Sequence, residues 1–392
     1  MPSPSGPLPT AVQFGAGNIG RGFMGELFSR SGYHTLFVDV DQALVAAINT
    51  RGAYEIHHVT NAGDEPFTVK NILALDARDL EAVTEAVAQT DVVSTAVGVR
   101  ALRAVVPALA GGITKRLAPG PGAPLNVITC ENLIGAGRYL RDLVQAELQA
   151  RSLVPSDDAL DTRVGFVEAV VSRMVPIVPD GVRRRDPLWI ACEPYARLPV
   201  DGPAFRGPVP KIAGLEPTDN ILAHQRRKLA SHNMSHALCA YLGYQAGHDL
   251  IWQAIEDPKI SSRVRSAMDE TGRALCSRFG FAPKDQHAYE EDILHRYRNR
   301  ALGDQVRRVT ADPFRKLGPE DRLIGSARLC FEEGVEPANV LVGIRAALRY
   351  DSPDDPGAVR LQEMLRRRGL AHVLTEVCGL APDEPLYARL TE

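Results

Sequence analysis

The stretch that decides the fold is Val12-Gln13-Phe14-Gly15-Ala16-Gly17-Asn18-Ile19-Gly20-Arg21-Gly22-Phe23. A short apolar run ends in glycine, and a helical pattern opens at once. Gly15, Gly17 and Gly20 stand in G-x-G-x-x-G spacing. The first glycine permits a tight turn, the second lets backbone approach a pyrophosphate, and the third lets helix pack closely on strand. The helix start then offers N–H groups and a positive dipole end to phosphate. Asp39 lies 19 residues beyond Gly20, at the end of the next apolar run. An acid there accepts from a ribose 2′-hydroxyl and repels a 2′-phosphate, which favours NAD over NADP. Asp41 adds negative charge, and no arginine occurs in 38–43.

Outward from this turn, apolar runs alternate with amphipathic stretches. The runs are Val12–Phe14, Thr35–Val40, Val92–Val97, Leu125–Thr129, Val164–Val171 and Leu188–Cys192. Helical patterns cover Arg21–Ser31, Gln42–Arg51 and Leu80–Gln89. This alternation predicts an α/β domain with a doubly wound, mostly parallel Rossmann-type sheet. Pro194, Pro199, Pro203, Pro208 and Pro210 then crowd one segment, which reads as an inter-domain connection. From Asn220 the pattern is helical almost throughout, over Ala223–Gln245, Ser262–Phe279, Gln286–Tyr297, Asp321–Glu333, Asn339–Tyr350 and Ala358–Gly369. The expected layout is a disordered lead-in over 1–10, a nucleotide-binding domain over 11–195 and a helical substrate domain over 196–392.

A chain of 392 residues is too long for one ordinary core. With 45% hydrophobic and 24% charged residues it has the composition of a folded globular protein. The net charge of −3, with basic residues spread along the chain, argues against a nucleic-acid surface. No apolar run reaches the roughly 18 residues of a membrane span. The first ten residues show neither the basic nor the apolar region of a secretory signal, so none is expected. Six scattered cysteines without metal-ligand spacing read as reduced thiols, so a cytoplasmic protein is expected. No heptad run or interface helix stands out, which makes a monomer the expectation and a dimer the alternative.

A second constellation is Lys228-Leu229-Ala230-Ser231-His232-Asn233-Met234-Ser235-His236. On a helix turning roughly 100° per residue, Lys228, His236 and Asn233 fall at about 0°, 80° and 140°. A desolvated lysine has a lowered pKa and can take a proton from an alcohol. Asparagine can donate to the developing alkoxide, and histidine can orient or share the proton. An amphipathic helix with a polar rim fits the same spacing. His232 and His236 also stand at i and i+4, a zinc-ligand spacing, without the Glu of H-E-x-x-H.

Together these segments resemble the polyol-specific long-chain dehydrogenases. The resemblance rests on Phe14–Phe23, Thr95-Ala96-Val97-Gly98, Cys130-Glu131-Asn132, Gly214–Asn220, Arg227-Lys228-Leu229 with Asn233 and His236, Ala240–Gly243 and Asp321–Ile324. It implies a metal-independent oxidoreductase with Lys228 as general base and Asn233 and His236 as its partners. Cofactor contacts are implied at Gly15, Gly17, Asn18, Ile19, Gly20, Asp39, Thr95, Ala96, Val97 and Asn132. The length suits the phosphate-using branch, whose reaction interconverts mannitol 1-phosphate and fructose 6-phosphate with NAD. The same chemistry on another polyol, a uronate or a cyclitol stays open. Ser172 stands where the family commonly has an acid before arginine, and Met234-Ser235 where close relatives have a small pair with glycine. Both are expected on the substrate side. Arg183-Arg184-Arg185, Arg226-Arg227 and Lys211 are candidate cations for a phosphate.

Overall fold

The computed structural model describes residues 8–117, 123–151, 157–178 and 180–392. These form two compact units, Met1–His224 and Gln225–Glu392.

In the first unit the strands are β1 (Thr10–Phe14), β2 (His34–Asp39), β3 (Ala53–Thr60), β4 (Gly63–Lys70), β5 (Ile72–Asp76), β6 (Val92–Thr95), β7 (Leu125–Thr129), β8 (Val164–Glu168), β9 (Ile190–Cys192), β10 (Leu198–Asp201) and β11 (Leu215–Thr218). Six of them make a parallel sheet in the order β5-β2-β1-β6-β7-β8. This is the 3-2-1-4-5-6 order of a doubly wound dinucleotide fold, with the antiparallel pair β3–β4 inserted between its second and third strands. The order reverses between β1 and β6, which puts the topological switch point at the glycine turn.

Successive residues of each strand feed opposite faces of the sheet. Val12, Val93, Val127 and Val164 point to one core, with Leu109 and Ile113 from helix Leu102–Leu117 and Val144 from helix Ala136–Ala150. Ala11, Val92, Ile128 and Val167 point to the other, with Phe23, Leu27 and Phe28.

The expected boundary at 195/196 moves to His224/Gln225. The proline-rich segment is packed structure. Pro199 and Pro217 lie in β10 and β11, which pair parallel, and Leu198, Val200, Phe205 and Ile212 join the core of Phe23 and Leu27. A two-stranded ladder is all edge, so it tolerates proline. Most of the lead-in over 1–10 lies outside the described residues. Thr10 opens β1, where its N–H donates to Asp91 Oδ2 at 2.7 Å.

Beneath the glycine turn sits a buried ionic cluster. Glu26 accepts from Arg30 at 2.7 Å, from His58 Nε2 at 2.8 Å and from Arg173 Nη1 at 2.5 Å. Burial pushes its carboxyl up, but the His58 and Arg173 contacts outweigh this and hold it at about 2. A depressed carboxyl contributes stability that is complete above its ordinary pKa and drains away as pH falls toward the folded value. Glu26→Gln breaks a buried pair and is expected to cost about 3–5 kcal/mol. Urea unfolding of this unit, read from Trp189 fluorescence in a Trp252→Phe background, checks it; the loss should shrink as the pH is taken from 5 toward 2.

The second unit is helical. Helix Met234–Gln245 lies among helices Ile251–Glu256, Pro258–Phe279, Val306–Thr310 and Ala338–Leu348. It is therefore apolar nearly all round, with Met234, Leu238 and Tyr241 fully buried. Among the described residues no helix is long and apolar enough to cross a membrane.

Candidate active site

The glycine turn carries the mechanics its spacing predicts. Gly15 has φ +89°, and a Cβ there would come within 2.5 Å of the Ala96 carbonyl. Its N–H donates to Val38 O at 2.8 Å. A Cβ on Gly20 would come within 1.8 Å of the Gly15 carbonyl, whereas one on Gly17 would meet nothing within 4 Å. The turn is thus closed by packing at its two ends and open at its middle, where a ligand's phosphates need space. Asn18 donates to Pro176 O at 3.2 Å. Asp39, at the end of β2, braces the turn: Oδ2 accepts from Ala16 N at 2.7 Å and Oδ1 from Asp41 N at 3.0 Å.

A cavity of about 690 Å³ opens beside the turn, lined by Gly17, Asn18, Asp41, Leu44, Ile177 and Arg183 among others. Arg183 reaches Asp41 at 2.9 Å. The absence of arginine from 38–43 is therefore offset in three dimensions by one from 142 residues away. Both members of that pair are open to solvent, where such pairs contribute little.

Thr95 ends β6, next to the switch point, and its buried Oγ1 has no hydrogen-bond partner. Ala96 N donates to Phe14 O at 2.9 Å. Val97 N and Gly98 N donate to the Glu131 carboxylate at 3.0 and 2.8 Å, a brace that local spacing does not reveal. Asn132 is exposed just after β7, and Ile19 is half-buried between Asn18 and Gly20, where the helix begins. All ten expected cofactor positions thus lie in the first unit, and Gly15–Gly20, Asp39 and Thr95–Val97 gather at the carboxyl ends of β1, β2 and β6.

In the second unit the expected regular helix is interrupted. Lys228–Asn233 is a π-helix that runs on into Met234–Gln245. Gly20–Met24, directly after the glycine turn, is another. Such wide turns recur at functional sites. An i→i+5 turn holds about one residue more than an α turn, so Lys228 and Asn233, five apart, come closer to one line than the regular wheel allows.

Burial, with the nearby charges of Arg322 and Arg296, pushes the Lys228 amine down to about 8. Burial likewise lowers His236, against the opposing pull of Asp304. His236 Nε2 lies 2.8 Å from Asp304 Oδ2. Tyr297 stacks on its ring at 5.0 Å between centroids and donates from its hydroxyl to His232 O at 2.7 Å. That carbonyl belongs to the π segment and also accepts from Ser235 Oγ at 3.2 Å. His232 is buried, lowered well below its usual pKa, and its Nδ1 has no hydrogen-bond partner. On the far side, Gln286 donates to Ser231 Oγ at 2.9 Å and accepts from Arg227 at 2.8 Å.

The chain matches the mannitol dehydrogenase Rossmann domain over residues 9–214 and the mannitol dehydrogenase C-terminal domain over residues 220–377. It belongs to the mannitol dehydrogenase family. A mannitol-1-phosphate 5-dehydrogenase of Bacillus licheniformis is 39% identical over 378 residues, which cover 96% of this chain and 97% of that protein. One from Brevibacillus brevis is 39% identical over 376 residues, covering 96% and 95%. Among solved structures, Pseudomonas fluorescens mannitol 2-dehydrogenase in ternary complex with NAD and D-mannitol aligns at TM-score 0.76 and 19% identity, over 98% of this chain and 92% of that one. A D-sorbitol dehydrogenase in substrate-free form aligns at TM-score 0.72 and 16% identity, over 92% and 94%. These two share the fold.

As a mannitol dehydrogenase family member the protein is an oxidoreductase, and the residues expected on its substrate side have these surroundings. Met234 is fully buried in the second unit's core, so its bulk is spent on packing. Ser172 is buried too, and the adjacent Arg173 finds its acid in Glu26, 147 residues away. Of the candidate phosphate cations, Arg226 pairs with Glu320 at 3.2 Å, and Arg227 lies over the Tyr289 ring while bonding Gln286. Local spacing does not reveal Asp304 and Tyr297, which lie on other elements, 68 and 65 residues from the groups they serve. The one local signal was the i,i+4 spacing of Asp304 and Arg308.

Proposed function

We propose that the protein interconverts mannitol 1-phosphate and fructose 6-phosphate with NAD(H), the first unit holding the dinucleotide and the second supplying the general base. The observation that carries this reading is the 39% identity to mannitol-1-phosphate 5-dehydrogenases across 96% of the chain. The residues fit the cofactor: Gly17 leaves the cradle open, and Asp39 offers a carboxylate to a ribose 2′-hydroxyl while repelling a 2′-phosphate. When bound, NAD supplies the acceptor for the hydride from the carbinol carbon.

The remaining work belongs to side chains of this chain. In its neutral form the Lys228 amine takes the hydroxyl proton, and as ammonium it returns that proton to the carbonyl oxygen in the reverse direction. Desolvation to about 8 keeps both forms accessible near neutrality. The Asn233 amide donates to the oxygen as its charge grows, and neutral His236 shares the hydroxyl's hydrogen bond. No step asks for a metal ion if lysine takes the proton.

Mixing the protein with NADH and fructose 6-phosphate is expected to remove absorbance at 340 nm. Free fructose, fructuronate and a keto-inositol should react far more slowly. Silence across all hexose phosphates would overturn the substrate. Turnover of one of the other substrates alone would favour the same chemistry on another polyol, a uronate or a cyclitol. NADH binding without turnover of any substrate would point to a silent redox sensor.

A further inference from the structure

We infer that Asp304 is the positioning residue for His236: its carboxylate holds the imidazole as the Nε2–H tautomer, which leaves Nδ1 as the ring's acceptor for the substrate hydroxyl. This rests on the reading of Lys228, Asn233 and His236 as the catalytic set.

Asp304 Oδ2 lies 2.8 Å from His236 Nε2, and both side chains are nearly enclosed, at 7% and 12% exposure. The other oxygen, Oδ1, accepts from Arg308 Nε at 2.8 Å and Nη2 at 2.5 Å. A carboxylate charge-paired in this way stays ionised and can only accept, so the nitrogen facing it carries the hydrogen. Burial lowers the ring's affinity for a second proton, against the pull of Asp304. One proton on Nε2 therefore leaves a lone pair on Nδ1. That lone pair can accept a hydrogen bond while Lys228 takes the reacting proton, whereas an Nδ1–H could only donate.

The brace is rigid. The Asp304 carbonyl accepts from Ile251 N at 2.9 Å, Gly303 before it sits at φ 61°, and Gln305 after it bridges to Leu250. Tyr297 holds the ring's face from the other direction. The arrangement parallels the outer partners that orient histidines in other catalytic settings, where the second nitrogen's hydrogen bond sets the tautomer.

The test is a mutant cycle with a spectroscopic readout. Asp304→Asn is expected to lower kcat with NADH and fructose 6-phosphate by about 10²–10³-fold, with both KM values within about threefold. His236→Ala should cost a similar factor. Asp304→Asn added to His236→Ala should cost no more than about twofold, because the carboxylate acts only through the ring. Asp304→Glu should restore part of the loss. Nitrogen-15 NMR of the intact protein should show His236 as the Nε2–H tautomer. Independent losses that multiply in the double variant, an unchanged kcat in Asp304→Asn, or an Nδ1–H tautomer would each overturn the inference. Should Asp304→Asn fail to fold, the tautomer in the intact protein decides. An unmodified protein inert toward fructose 6-phosphate would count against the functional reading alone, since the tautomer is read without turnover.

Discussion

Replacing Lys228 with alanine is expected to lower turnover of fructose 6-phosphate by about 10²–10⁴-fold, the range a positioned acid–base group supplies. NADH affinity should stay within about twofold, because the glycine cradle lies in the first unit. Fluorescence titration of NADH beside steady-state kinetics checks both halves. The pH dependence carries a sign. Burial and the charges of Arg322 and Arg296 hold the amine near 8 instead of its usual 10.5. Polyol oxidation needs the free amine, so its rate should climb through pH 8 and then level. Ketose reduction needs the ammonium and should fall over the same interval. Lys228→Arg should not rescue oxidation, since a guanidinium keeps its proton throughout. Retention of more than a tenth of wild-type kcat by Lys228→Ala would show that the proton goes elsewhere.

The second large effect separates two glycines that look alike in the sequence. Gly17→Ala should fold normally, because its Cβ would meet no atom within 4 Å. It should nonetheless weaken NADH binding about 10–100-fold, as overpacking of about 1–3 kcal/mol falls on the ligand instead of the fold. Gly20→Ala should destabilise the first unit itself, because its Cβ would lie 1.8 Å from the Gly15 carbonyl. Backbone cannot swing aside as a side chain can, so the cost belongs at or above the upper end, about 3 kcal/mol. Thermal unfolding with and without NADH distinguishes the two. An unchanged Tm for Gly20→Ala, or unchanged NADH binding by Gly17→Ala, would contradict this account of the cradle.

Much of the first unit was legible as pattern. Gln42–Arg51, Leu80–Gln89 and Leu125–Thr129 have the bounds expected from apolar spacing. The β3–β4 hairpin was not, because its alternation is partly polar: Tyr54, Ile56 and His58 are buried, while most of β4 is exposed. A buried histidine reads as polar until Glu26 is seen beside it. β8 ends at Glu168, short of the expected Val171, because the chain turns there toward β10, with Ala169 bridging Val200. The last expected helix stops where its pattern does: Gly369, whose φ of 81° no helix admits, breaks Pro356–Glu376, and a separate short helical stretch follows it. The 3.6-residue period that marks a helix in the sequence does not distinguish the two π-helical segments, Gly20–Met24 and Lys228–Asn233.

What the sequence determined by itself is the glycine turn in its strand-to-helix setting and the lysine proposed as the base. Glycine's missing Cβ and lysine's amine are properties of single residues, and they act within one turn of chain. Only the tertiary structure decided the partners that make those groups useful: Glu26 for Arg173, Arg183 for Asp41, Asp304 for His236. These pairs stand 147, 142 and 68 residues apart. Their meeting depends on the path of the whole chain, and the burial that shifts Lys228 and His236 exists only once that path has closed.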